Sequence, residues 1–123
     1  MKTIKDSGNR ETYESGMLRE GEEGKPMFSL LFPKGVPYEE TFLTVCAKHM
    51  ANGAKKYATR NWESANTEEE EERFCSSLLR HTIQAVLGEE DEEHLAAAFF
   101  NLLALHTVRY RRKKDMEKKL NGR

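Results

Sequence analysis

Residues 88–105, GEEDEEHLAAAFFNLLAL, decide how this chain folds. The acidic turn after Gly88 gives way at His94 to Leu95 through Leu105, a run apolar almost all the way round a helix. A helix with that pattern must be central, or must meet a second subunit. Asp91 is placed to cap it. Beyond His106 the run RYRRKKDMEKKLNGR, residues 109–123, reads as a solvated, basic helix that frays, a tail from 111 to 123.

Working outward toward the amino terminus, Thr67 and Glu70 form a capping box at the start of a second helix, which Gly88 stops. Cys75, Leu78, Leu79, Thr82, Ile83 and Val86 supply its expected inner face. Before it, KKYATRNWESAN reads as a connecting loop. Earlier still, Pro37 can take the first position of another helix, with Glu39 and Glu40 at its positive end. Phe42, Val45, Cys46, His49, Met50, Gly53 and Tyr57 then follow helical spacing, and Gly53 leaves room for a backbone or a ligand. Residues 24–35, GKPMFSLLFPKG, suit an extended apolar strap between prolines, and residues 1–24 a flexible polar arm. The expected fold class is all-α: a small bundle of three main helices after an extended N-terminal arm, with residues 25–110 as the working domain.

The chain carries 21 acidic and 20 basic residues, so it offers no net field for a nucleic-acid backbone or an anionic membrane. Its two cysteines, Cys46 and Cys75, lie in helical patterns and form no zinc motif, which fits a reducing cytoplasm. No window approaches the roughly 18 apolar residues of a membrane helix, and the first residues lack a signal-peptide core. The expected partners are a small molecule and further copies of the chain, in a dimer or a tetramer, because two helices and a strap leave the last helix incompletely covered.

The last two helices, joined by a turn of about three residues, should form an antiparallel hairpin. His81 and Gln84 then lie opposite residues 93–97, so that His81, His94 and the acidic turn converge, with Arg80 at the margin. His94 and Asn101 share a face separated by Ala97 and Ala98, whose small side chains leave a slot. Taken singly, each of these polar residues is as readily a satisfied interior group. Glu68, Glu71 and Glu72 follow the apolar face of their helix but lie roughly 25 Å from the turn by helix rise. Only a second subunit could bring those carboxylates to the turn. In the loop, Lys55, Lys56, Tyr57, Arg60, Asn61 and Trp62 gather phosphate-binding cations, a flat aromatic and an amide, as a nucleotide would require. Tyr57 and Trp62 serve equally well as anchors of the loop to the core.

GKPMFSLLFP (24–33), GAKKYATRNWE (53–63), ERFCSSLLRH (72–81) and GEEDEEHLAAAFFN (88–101) resemble, in that order, the N-terminal domain of phage dATP/dGTP diphosphohydrolases. The resemblance implies a MazG-like, all-α nucleotide pyrophosphohydrolase that converts purine deoxynucleoside triphosphates to monophosphate and pyrophosphate. It marks Lys56, Tyr57, Arg60, Asn61, Trp62, Arg80 and Asn101 for substrate, and His81, Glu92 and His94 for catalysis. It implies magnesium or manganese on carboxylates, for which Glu89, Asp91 and Glu92 stand ready. Ala58 occupies a place where that family often has glycine, and the paired Glu-x-x-Glu and Glu-x-x-Asp of MazG proteins are only imitated by Glu68/Glu71 and Glu89/Glu92. Two other functions remain open at this point: a non-catalytic protein that sequesters a nucleotide or nucleotide-derived signal, and a helical module for assembly.

Overall fold

A computed structural model describes residue 8 and residues 10–21 and 23–122. The chain divides into two compact units, Met1–Leu31 and Phe32–Arg123. In the first, strands β1 (Arg10–Thr12) and β2 (Leu18–Glu20) pair antiparallel, with Arg10 opposite Glu20 and Thr12 opposite Leu18. Arg10 Nη1 meets Glu20 Oε1 at 2.7 Å, and Gly16 turns the chain at φ 87°. Part of the expected arm is therefore a hairpin. Within the expected strap, Phe28–Leu31 wind into a 3-10 turn, and Met27, Phe28, Leu30 and Leu31 are exposed.

The second unit holds three helices: α1 (Phe42–Tyr57), α2 (Glu68–Val86) and α3 (His94–Asn121). α1 does not start at Pro37. Residues Tyr38–Glu40 make a separate 3-10 turn, and Thr41 then adopts extended backbone at φ −65° and ψ 151°. Buried Thr41 holds this kink by donating its hydroxyl to Tyr38 O and pairing with Thr44 Oγ1, both at 2.8 Å. The capping box of α2 forms as its sequence dictates. Thr67 Oγ1 accepts from Glu70 N while Glu70 Oε1 accepts from Thr67 N, satisfying donors that no preceding turn can reach. Gly88, at φ 79°, takes the chain out of α2 through a left-handed residue.

α3 differs from its expected form at its start, and its basic end is the expected helix but tied down where fraying was expected. Glu93, not Asp91, occupies the capping position, with no side-chain cap bond. The helix continues through the basic run to Asn121, so no boundary falls at residue 110. The cations there bond back onto earlier segments: Arg109 and Arg112 reach Glu71 on α2, and Arg111 reaches the backbone oxygen and carboxylate of Glu63. A stretch that looks solvated in sequence is thus tied down by arginine pairs.

The packed core consists of small side chains. Cys46, Ala65, Ala96, Ala97, Ala104, Leu105 and Val108 are buried, and edge-on ring pairs extend this set: Phe42 with Phe99, and Phe100 with both Trp62 and Phe74. The expected inner face of α2 needs correction. Leu79, Thr82, Ile83 and Val86 are exposed, Val86 at 81 %, while Phe74, Cys75, Leu78 and His81 turn inward to varying degrees. α2 carries apolar residues on two sides, and periodicity does not say which side meets α3. Among the described residues no helix is long and apolar enough to cross a membrane.

Candidate functional site

α1, the loop after it, α2 and the first turns of α3 enclose an open groove of about 1060 Å³. The inner stripe expected of α1 largely serves as its wall: His49, Met50, Gly53 and Tyr57 line the space, and Cys46 alone of the stripe is buried. A Cβ placed on Gly53 would meet nothing within 4 Å, so this glycine borders open groove and no backbone presses against it.

The loop reaches the groove through two residues of unusual backbone. Ala58 has φ 82° and ψ 153°, a region almost reserved for glycine, and Arg60 is left-handed at φ 61°. The 3-10 turn Asn61–Ser64 follows, with Ser64 Oγ donating to Asn61 O at 2.6 Å. Tyr57, Arg60, Asn61 and Trp62 all line the groove. Trp62 also sets its ring edge-to-face with Phe100 at 5.8 Å, so it anchors the loop and borders the cavity at once. Arg60 meets Glu63 Oε2 at 2.5 Å, and the two arginines Arg60 and Arg111 hold the Glu63 carboxyl below the usual range. Lys56 is absent from the lining. Its ammonium lies 5.0 Å from the Tyr57 ring centre, and its bond to Tyr57 raises its pKa.

The opposite wall is formed where α2 meets α3. His81, Glu92, Ala97 and Asn101 line it. Asn101, buried, donates Nδ2 to Ala97 O at 2.8 Å, a local bond that fixes the amide and leaves its oxygen as the acceptor. The hairpin brings His81 Nδ1 within 2.9 Å of His94 Nδ1, and the far nitrogen of His94 bonds Asp91 Oδ1 at 2.7 Å. Since an ionised carboxylate only accepts, His94 Nε2 carries the proton in that bond. Asp91 is correspondingly held below its ordinary carboxylate value, first by this hydrogen bond. His81 is pushed down from 6.5, chiefly by burial and then by Arg80, with Glu92 opposing and His94 and His49 adding to the same downward sense. Its imidazole is therefore biased toward the neutral form.

Other expected site residues lie outside this convergence. Arg80 is exposed and donates to Gln84 Oε1 at 3.4 Å. Glu89 is exposed and does not line the groove. Glu71 is engaged by Arg109 and Arg112, and Glu68 and Glu72 are exposed. Magnesium requires oxygen ligands. Glu89, Asp91 and Glu92 do not assemble as a three-ligand group, and the single group of three among the described residues, His81, Glu92 and His94, contains two imidazoles.

Sequence reading passed over Glu70, Arg73 and Ser77, which line the groove with His81. The signal was present, because 70, 73, 77 and 81 fall on one helical stripe. Glu70 reads only as a cap, and the apolar residues of α2 draw the reading to another face. Arg73 makes no ion pair among the described residues and so offers an uncommitted cation at the groove.

Fold and site together define a small all-α protein with a polar-walled groove between its helices and a histidine pair at one end. The chain belongs to the family described as dATP/dGTP diphosphohydrolase, N-terminal, which it matches over residues 15–119. That description is of a hydrolase. No curated protein and no solved structure matches the chain.

Proposed function

We propose that the chain is a cytoplasmic nucleotide pyrophosphohydrolase, phage-encoded like the proteins it resembles, that acts on purine deoxynucleoside triphosphates bound in this groove. One observation carries the reading: the loop cluster Tyr57, Arg60, Asn61 and Trp62 lines the same cavity as His81, Glu92 and Asn101. A volume of about 1060 Å³ accommodates a nucleotide, and family membership supports the substrate class. In this reading Arg73 and Arg60 hold phosphate oxygens, the loop aromatics border the base, and Asn61 and the Asn101 oxygen offer hydrogen bonds to it. Glu92 accepts the proton of the attacking water, with neutral His81 beside it.

The test is incubation of the pure protein with each deoxynucleoside triphosphate and a divalent ion, with chromatographic separation of products. Pyrophosphate and monophosphate from the purine substrates support the proposal. Bound but unchanged nucleotide identifies a sequestering protein, and no interaction identifies an assembly module. Arg73→Ala should weaken substrate binding by on the order of 1–3 kcal/mol without unfolding the chain.

We further propose that two or more copies associate through the side of the α2–α3 hairpin turned away from the groove. By helical spacing, Leu79, Ile83 and Val86 lie well round α2 from groove-lining Arg73 and Ser77. Leu95 and Leu102 similarly lie away from Ala97 and Phe100 on α3. All five are exposed, beside a core built mainly of alanine, and a second copy of the same face would cover them. Light scattering should give a multiple of 14.2 kDa. A monomer at micromolar concentration overturns this assembly.

A further inference from the structure

We infer that His81, His94 and Glu92 form a binding site for a divalent first-row transition ion, with Asp91 as the group that orients His94. The inference rests on side-chain geometry and stands whether or not a nucleotide binds. One ligand atom from each of the three residues lies within 4.8 Å of the others, and both histidines are buried while Glu92 is exposed.

The two imidazoles already point ring nitrogens at one another. Their Nδ1 atoms are 2.9 Å apart, and with metal–nitrogen bonds of about 2.0–2.1 Å that separation subtends roughly 90° at an ion. This is the angle between neighbouring ligands of a six-coordinate ion. Glu92, exposed on the turn, can rotate to complete the set and supply a negative charge. The remaining positions would open toward the groove, because His81 and Glu92 both line it.

The bond from His94 Nε2 to Asp91 has a specific consequence. A proton committed to Asp91 leaves the lone pair on His94 Nδ1, so the proton between the rings belongs to His81 Nδ1. The ion takes its place as that proton passes to His81 Nε2 or to solvent. Carboxylates recur behind metal-bound histidines for this reason: they fix the tautomer and raise the basicity of the ligating nitrogen. Asp91 therefore does not bind the ion itself, which departs from the role its place in an acidic turn implies. Two nitrogens and one carboxylate favour an imidazole-accepting ion such as Co²⁺ or Zn²⁺ over magnesium, which asks for oxygen throughout.

The competing account is a hydrogen-bonded histidine pair with no ion. Co²⁺ separates the two, because it replaces such ions and reports its ligands by absorption. The full chain, free of any affinity tag and with no nucleotide present, is titrated with Co²⁺ by equilibrium dialysis and visible spectroscopy. One Co²⁺ per chain is expected, not displaced by a hundredfold excess of magnesium. Glu92→Gln and His94→Gln should each weaken binding at least tenfold, and Asp91→Asn should weaken it about 10- to 100-fold. His106→Gln, exposed elsewhere on α3, should bind as the parent does. Glu92 and Asp91 are exposed, so their variants test the site even where a histidine variant fails to fold. Absence of stoichiometric Co²⁺, displacement by equimolar magnesium, or unchanged binding in Glu92→Gln overturns the inference. Because no nucleotide enters the titration, its failure is distinct from failure of the hydrolysis assay.

Discussion

The two ends of the α2–α3 hairpin are both rich in carboxylates, yet their surroundings differ. At the open end, Glu71 lies between Arg109 and Arg112, and Glu63 between Arg60 and Arg111. At the turn, Asp91 meets an imidazole and Glu92 lines the groove without an ion pair among the described residues. A carboxylate between arginines is occupied in holding elements together. A carboxylate beside imidazoles retains capacity for a ligand. The identity of the facing helix residue, arginine or histidine, separates the two outcomes.

The sharpest way to break this comparison is to remove His94. His94→Ala deletes the bonds to His81 and Asp91 and leaves a gap among buried side chains, at a cost of about 2–4 kcal/mol in urea unfolding. Glu71→Gln should cost less than about 1 kcal/mol, since its arginine partners are partly exposed. If Glu71→Gln proves the costlier, the arginine end is the keystone and the turn is peripheral.

The loop at the open end offers a change of opposite sign. Ala58 sits at φ 82° and ψ 153°, so Ala58→Gly should relieve strain and raise stability by about 1 kcal/mol, measured by thermal unfolding. A loss of stability would show that the loop relaxes away from this conformation. At the start of α2, Thr67→Ala removes the capping box and should cost about 1 kcal/mol.

The smallest expected effect is a pH dependence at the open end. Glu63 and Glu70 are both held below the ordinary value of 4.5, Glu63 first by Arg60 and Glu70 first by Thr67. The unfolded chain binds protons on these groups more readily than the folded one. Their contribution is therefore complete above about pH 4.5 and is lost as pH falls from there through the folded values. Glu63→Gln should flatten the acid limb of a melting-temperature profile, and an unchanged limb would show that its arginine pairs do not persist in solution.

Local chemistry made much of this molecule legible in advance. The capping box at Thr67 and Glu70, the stop at Gly88 and the central apolar run from Leu95 depend on residues within a turn or two of one another, so sequence alone determined them. The meeting of His81 with His94 also followed, because a hairpin pairs residues by their distance from its turn. Other features needed partners from far along the chain. Which side of α2 packs was decided by α3, leaving Leu79, Ile83 and Val86 exposed. The helical run after His106 is held by Glu63 and Glu71, distant in sequence. The groove joins the loop cluster to the histidine wall only because α1, α2 and α3 enclose one space. Local bonds and periodicity are written into neighbouring residues, whereas the choice among equally apolar faces and the pairing of remote charges belong to the packed whole.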